Sequence, residues 1–586
     1  MYLATTAIKE FWDPSQRMIF LGEWCRIYSH HQEWEGLNYK IMPYPWQSKE
    51  DFAAAFAYCD GLFERILPRL AKQLNMIHNT RYSTRYWRIV VGEWLWRYIQ
   101  ILYERYVCLK KAFRDYGEDL ETKVLDTTSY SIAFDSDEFL EMCYTDHYNL
   151  QLYSLLLRYM GKDYPAQKME PPLRLRSQLR AFLRNIKRTI GDMVLNKRFY
   201  PGRIAEVVLC RANMLQDVLR ELRKADKALF KVVSWEKTYI KVRSQRILRT
   251  AIKFKDDGDD FANICIKMIA DCIPLAFVEG FGELVGQLAK DCKYPKAVIS
   301  ATGWRFDVLT SLYIGKAVEQ GARLIGIQHG GGYGLFEMDS MLTYELRTVD
   351  YFFSWGWALP GEKVIPLPSH LLSQRSVAKS VLFTGKKTAI TFVSSAHARF
   401  FNYFQSSPMG PQYEKYFGQQ IEFFRQLRDE VKAQLLVRLY PADYDWNNRH
   451  RLEDAIPGLR YDNPLVPFLQ RALSSRLVIS DNNQTTYLQT IGLNIPTLIF
   501  WDQELWPLHE KARPVFEILK RSNIFHETPG SAAAFLNDNY HRIEEWWGSP
   551  DVQSAVGTFR TRYARADENW AQQWHDQILE CINHTK

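Results

Sequence analysis

Downstream of residue 297 the chain alternates short apolar runs with longer amphipathic stretches, and this alternation narrows the fold more than any other feature. Runs at 297–300, 322–327 and 350–353 are too short for helices, while 306–319 carries a 3.6-residue period. Strands buried on both faces and joined by helical crossovers form parallel sheets, because a parallel neighbour needs a long return connection. A second series follows, with strands expected at 388–393, 434–439, 477–479 and 497–500 and helices at 413–431 and 485–491. The expected class is therefore α/β, with two Rossmann-like domains facing a cleft.

The 586 residues exceed what one hydrophobic core supports, which favours two or more domains. The opening reads as a further α/β start, with apolar runs at 2–8 and 18–21. From about 51 to 270 the pattern turns helical, 87–109 being its longest periodic stretch, and a strand is expected again at 274–278. This predicts a helical insertion within a first domain of residues 1–358. The Pro/Gly-bearing segment 359–370 reads as a linker, 371–545 as the second domain, and 546–586 as helices packing back on the body.

The net charge of +8 is unevenly placed. Arg176, Arg180, Arg184 and Arg188 recur every fourth residue, with Leu179, Phe182, Leu183, Ile186 and Ile190 on another face, which predicts a basic amphipathic helix. A second basic stretch runs from 223 to 255. A solvated helix face accounts for such charge; the alternative is peripheral contact with the inner-membrane surface or a phosphate-bearing acceptor. No nucleic-acid-binding motif accompanies the charge, so nucleic acid is not an expected partner. The nine cysteines lack CxxC and zinc-ligand spacing, and Cys25, Cys59, Cys108 and Cys143 sit among apolar residues. With no signal-peptide pattern and no apolar run of spanning length, the expected location is the cytoplasm.

Three constellations could carry chemistry. The strand at 322–327 runs into Gln328-His329-Gly330-Gly331-Gly332-Tyr333. Glycines there let a backbone approach an anion, and a histidine beside them can move a proton near neutrality. The strand at 434–439 delivers Arg438, followed by Pro441, Asp443 and Trp446; the arginine could grip a phosphate or pair with Asp443. The third is Ser480-Asp481-Asn482-Asn483-Gln484-Thr485-Thr486, at a strand-to-helix junction where main-chain amides suit phosphate, although the same residue types are ordinary helix caps. Ser394 and Ser395 close the first strand of the second series in an equivalent place. Asp135-Ser136-Asp137 and the acidic loop 256–260 read as solvent-facing, and no metal site is expected. The chain has no P-loop, GxGxxG, GxSxG or HExxH.

Leu21-Gly22-Glu23-Trp24-Cys25, Trp94-Leu95, Gly326 to Gly331, Phe353 to Trp357, Arg438 to Pro441 and Ser480 to Thr486 together resemble a bacterial family of transferases from O-antigen and surface-polysaccharide clusters. More distantly, the Gln-His-Gly turn and the last strand–loop–helix resemble GT-B capsule transferases that use CMP-activated ulosonic acids such as Kdo. Those enzymes carry a His-Pro pair at the nucleotide, where this chain reads Tyr440-Pro441. The resemblance implies a metal-independent GT-B-like glycosyltransferase of lipopolysaccharide or capsule biosynthesis, with no cofactor beyond a nucleotide-sugar donor and with a glycan or lipid-linked glycan acceptor. It places nucleotide and phosphate contacts at Gln328, Gly330, Gly331, Ser394, Ser395, Arg438, Ser480, Asp481, Asn482, Thr485 and Thr486. Acceptor or sugar contacts fall at Trp24, Tyr333, Asp443 and Trp446, and acid–base roles at His329, Glu23 and Asp307. A nucleotide-sugar epimerase of GT-B-like fold and a non-catalytic polysaccharide or lipid-carrier binding protein are the alternatives.

Overall fold

The computed structural model describes residues 1–46, 48–170, 206–210, 216–226, 229–233, 240, 242–288, 294–359, 361, 363–374, 387 and 389–583. Strands β1 (Tyr2–Ala4), β2 (Met18–Phe20) and β3 (Tyr39–Ile41) form a small parallel sheet, and β4 (Val124–Leu125) pairs with β5 (Ala166–Gln167). The first large sheet is built from β6 (Val207–Cys210), β7 (Phe230–Val233), β8 (Ala297–Ser300), β9 (Arg323–Ile327), β10 (Tyr351–Ser354) and β11 (Val364–Pro366). Its order is β11-β10-β9-β8-β6-β7, all parallel. The second contains β12 (Ala389–Val393), β13 (Leu435–Arg438), β14 (Ser475–Ser480), β15 (Thr497–Phe500) and β16 (Phe525–His526), parallel in the order β13-β12-β14-β15-β16.

The helices that place the site are α1 (Lys49–His78), α2 (Gly92–Tyr116), α3 (Ser136–Cys143), α4 (Asp146–Tyr159), α5 (Gly303–Phe306), α6 (Val308–Glu319), α7 (Ser340–Thr348), α8 (Gln412–Gln426), α9 (Thr485–Gly492) and α10 (Trp570–Asn583). Helix α2 is buried around most of its girth, so it is a core helix and not a surface decoration. Helix α10 returns to the first half: Trp570, Trp574 and Ile578 pack with Val207, Leu209 and Phe353 on the first large sheet, and the Trp574 indole donates to the Pro368 carbonyl at 2.9 Å. One continuous hydrophobic cluster runs through both halves.

Several sequence-based expectations give way. The helical stretch expected at 51–270 contains β6 and β7, which sit at the far end of the first large sheet. The strand expected at 274–278 is a single 3₁₀ turn, Leu275–Phe277, after Pro274. The segment 359–370 is no free linker, because β11 within it pairs with β10. The opening runs form their own sheet instead of joining the first large one. Asp135 is buried, capping α3 through the Glu138 amide, and Asp257 is held by Arg65 and Arg69, so neither acidic segment is simply solvated. The helix expected around Arg176 to Arg188 lies outside the described residues. Among the described residues no helix is long and apolar enough to cross a membrane, and eight cysteines are free, buried thiols.

Candidate functional site

In the second large sheet β12 has β13 on one side and β14 on the other, so the chain changes direction of travel between β12 and β14. A crevice opens at the carboxyl ends of parallel strands where such a reversal occurs. A cavity of about 330 Å³ lies there. Ser394 and Ser395 after β12, Tyr440 and Tyr444 after β13, and Asn482, Gln484, Thr485 and Thr486 after β14 line it. Tyr144 at the end of α3 closes it from the first half, and the long loop after β12 adds His397, Asn402, Tyr403 and Gln405. None of the lining side chains is a lysine, arginine, aspartate or glutamate.

The polar run after β14 does not cap its helix. Asp481 is buried and accepts from Tyr416 at 2.8 Å, Gln420 at 2.7 Å and Asn482 at 2.9 Å. Burial pushes its pKa up to about 6, against those hydrogen bonds, so this carboxylate anchors the loop and does not face a phosphate. Ser480 bonds the Asn482 carbonyl at 3.3 Å, and Asn483 accepts from Tyr487 at 2.6 Å. The residue that begins α9, Gln484, makes no side-chain cap bond. The first amides of α9 therefore lack the partner a Ser, Thr, Asp or Asn cap would give, and Thr485 and Thr486 at that end line the cavity. Two buried polar atoms of lining residues also lack a partner: Asn402 Oδ1, in a side chain 8% exposed, and His397 Nε2. Burial lowers the His397 pKa to about 4, so the ring is neutral and can either donate or accept. Buried polar atoms are nearly always satisfied, so two of them lining one cavity mark a place that a ligand can complete.

The glycine turn serves a different purpose from the one its sequence suggests. A Cβ on Gly331 would lie 2.3 Å from the Gln484 carbonyl carbon, and its amide donates to Thr485 Oγ1 at 2.8 Å. A Cβ on Gly330 would lie 2.9 Å from the same hydroxyl. These glycines let the first sheet touch the loop that forms the cavity wall, and the Gly331 amide is already spent. Gln328 is likewise occupied: it donates to the Gly330 carbonyl and accepts from the Trp355 amide and the Trp357 indole, each at 2.8 Å.

His329 remains half-buried in that turn. Its Nδ1 lies 3.1 Å from the Tyr333 hydroxyl, which bonds Glu345 on α7 at 3.0 Å. Glu345 accepts from Arg305 of α5 at 2.7 Å, Arg305 forks onto Glu93 of α2 at 2.8 and 3.1 Å, and Glu93 accepts from Arg97 at 2.6 Å. Arg97 lies 4.8 Å from the centre of the Tyr403 ring, which lines the cavity. A buried polar chain thus runs from the glycine turn to a residue of the cavity wall. Burial first, and then the nearby Arg305 charge, lower the His329 pKa to about 3. The imidazole is neutral at physiological pH, with one ring nitrogen carrying a lone pair that can accept a proton or a hydrogen bond.

Of the residues expected at the site, Ser394, Ser395, Asn482, Thr485 and Thr486 meet at the cavity; His329 does not line it, but the next two residues, Gly330 and Gly331, touch Thr485 of its wall. Others are placed elsewhere. Arg438 pairs with Asp462 and the Val466 carbonyl, and not with Asp443. Asp443 accepts from the Asn447 and Asn448 amides, and Trp446 is buried in a stack with Tyr413 at 4.7 Å. Trp24 is 1% exposed and bonds the Thr5 carbonyl, and Tyr333 is 2% exposed, so neither ring offers a sugar platform. Asp307 caps α6 through the Thr310 amide, and Glu23 pairs with Arg26 in the small sheet's loop. His397, Asn402, Tyr403 and Tyr144 escape sequence reasoning. His397 alone had a signal, standing two residues beyond Ser394-Ser395 at a strand end.

A family model described as LIC12162 family transferase matches residues 1–578. No curated protein matches the sequence. Among solved structures, S. aureus MnaA with UDP aligns at 11% identity over 65% of this chain and 97% of that one, with a TM-score of 0.39. The UDP-GlcNAc 2-epimerase of Neisseria meningitidis bound to UDP-GlcNAc aligns at 10% over 64% and 99%, with a TM-score of 0.36. Anabaena HepE in complex with UDP and glucose aligns at 9% over 65% and 100%, with a TM-score of 0.34.

Proposed function

The chain belongs to the LIC12162 family of transferases, and we propose that it moves a sugar from a nucleotide-activated donor onto a surface-polysaccharide, O-antigen or related glycan acceptor. The observation that carries this reading is the neutral cavity at the β12–β14 reversal, with an uncapped helix start and unpartnered Asn402 and His397 atoms on residues that line it. The amides opening α9 would hold the donor phosphates, since an uncapped helix end supplies positive potential without a cationic side chain. Ser394, Ser395, Asn402 and His397 would hydrogen-bond the nucleoside or the sugar. As the acceptor oxygen bonds the anomeric carbon, the sugar–phosphate bond breaks, the electron pair leaves with the phosphate, and the hydroxyl proton passes to His329. The helix end would stabilise the departing charge, so the scheme calls for no metal. A lipid-linked acceptor would bring the protein to the cytoplasmic face of the inner membrane.

The test is a thermal-shift panel with CMP, UDP, GDP and dTDP, repeated with EDTA. A nucleotide that binds only the folded chain adds about 2.7 kcal/mol at roughly a hundredfold excess over Kd. The expected result is a shift with one nucleotide, unaffected by EDTA and diminished by Asn402→Ala. A response to CMP directs the donor search to ulosonic acids, and a response to UDP, GDP or dTDP directs it to ordinary nucleotide sugars. Consumption of the donor without an acceptor would favour an epimerase, and silence across the panel would leave a non-catalytic glycan-binding protein. His329→Ala is expected to lower turnover by roughly 10²–10⁴-fold while nucleotide affinity stays close to wild type. Near-normal turnover in that variant removes His329 as the base.

A further inference from the structure

We propose that Glu345, acting through Tyr333, fixes the proton of His329 on Nδ1 and thereby leaves Nε2 as the proton acceptor. The inference rests on His329 being the base and adds a positioning residue that sequence reasoning does not reach. A tyrosine hydroxyl has one proton to donate. An ionised Glu345 can only accept, so the Tyr333 proton points to Glu345 at 3.0 Å, and the Tyr333 oxygen must then accept from His329 Nδ1–H at 3.1 Å. Arg305 holds the other Glu345 oxygen at 2.7 Å, and the residues Tyr333, Glu345 and Arg305 are each 2% exposed. Water therefore has little access to exchange these partners.

Protonating Glu345 reverses the chain. Its new O–H donates to Tyr333, the Tyr333 proton turns toward His329 Nδ1, and the imidazole gives up its Nδ1 proton and takes one on Nε2. The imidazole stays neutral, and the one proton gained overall sits on Glu345. The groups facing Glu345 are Arg305 from α5, Tyr333 from the glycine turn and Asp339 at the head of its own helix; Glu93 and Arg97 of α2 lie behind Arg305. Burial, opposed by Arg305, lifts the Glu345 pKa to about 7. His329, lowered to about 3, does not titrate in the same range, while Asp339, lifted to about 6 by burial, titrates below Glu345 and raises its pKa when charged. The base therefore switches with the protonation of a residue two hydrogen bonds away.

Nitrogen-15 NMR of the full chain labelled at histidine reads the tautomer without substrate, with His329→Gln identifying the resonances. At pH 8 His329 is expected as the Nδ1–H form, changing to Nε2–H on acidification with a midpoint near 7. In Glu345→Gln the Arg305 donor claims the amide oxygen, the NH₂ faces Tyr333, and the ring is expected as Nε2–H throughout. Tyr333→Phe, which keeps the ring packing, is expected to abolish the switch and decides the matter if the glutamine variant does not fold. An Nε2–H tautomer in the wild type at pH 8, or an unchanged midpoint in either variant, overturns the proposal. Normal turnover of His329→Ala would instead remove the base and leave the relay standing, so the two failures are distinct.

Discussion

Replacing Arg305 with leucine is expected to lower the Tm by about 2–4 °C. The arginine is fully buried and pairs with both Glu93 and Glu345. Burial alone would raise the pKa of Glu93, yet Arg305 and Arg97 together hold it below the ordinary value. Leucine restores apolar contacts but leaves Glu345 with only the Tyr333 hydroxyl and Glu93 with only Arg97. Removing one partner of a buried ion pair destabilises by about 3–5 kcal/mol, which outweighs what one leucine side chain recovers. With unfolding entropy of about 2.1 cal/mol/K per residue over the 586 residues, whose hydrophobic cluster is continuous through both halves, that loss gives the stated fall in Tm. Stranded carboxylates have folded-state pKa values above their unfolded ones. The deficit against wild type should then be smallest at low pH and widen as pH rises through 7. Arg305→Lys, which keeps charge but loses the fork, should fall between the two. A Tm within a degree of wild type at pH 8 would mean that the cluster carries little of the fold's stability.

The sequence shows the cavity's frame but not its function-bearing atoms. Ser394-Ser395 and the 480–486 run stand out because a polar cluster after a four- to six-residue apolar strand has one place to go, the carboxyl edge of a parallel sheet. The strand β15 at Thr497–Phe500 is legible for the same reason, bounded by Pro496 and polar residues. β6 and β7 are not, because β7 pairs with β6 alone and β6 reaches the rest of the sheet only through β8, about ninety positions downstream. Arg438 looked like an anion grip because its natural partner, Asp462, is 24 residues away on another loop. Glu93, Arg305 and Glu345 are invisible as a unit for the same reason: α2, α5 and α7 are brought together only by packing. Local pattern fixes which strand ends are polar. Long-range packing decides which polar side chains remain unpaired, and those are the ones available to a ligand.

Gly331→Ala is expected to be clearly more damaging than Gly330→Ala. The added methyl at 331 would meet main-chain atoms only, the Gln484 carbonyl carbon at 2.3 Å and the Gln484 oxygen and Thr485 nitrogen at 2.5 Å. A peptide unit cannot rotate out of the way as a side chain can, so the loop after β14 must retreat, and the Gly331–Thr485 hydrogen bond goes with it. Overpacking of this kind typically destabilises by about 1–3 kcal/mol. At 330 the methyl meets only the Thr485 hydroxyl, at 2.9 Å, and a change of Thr485 rotamer relieves it at the cost of the Gly331–Thr485 hydrogen bond, with no main-chain movement. Because the displaced loop carries the uncapped start of α9, the effect should be local as well as global. Hydrogen–deuterium exchange in peptides covering 480–490 is expected to quicken by at least an order of magnitude in Gly331→Ala, matching about 1.4 kcal/mol or more of lost protection, and to change little in Gly330→Ala. The nucleotide-induced thermal shift should weaken in parallel. Wild-type exchange in Gly331→Ala would mean that the two halves meet loosely at this turn, and the glycine would then have to be explained by a ligand and not by the contact between sheets.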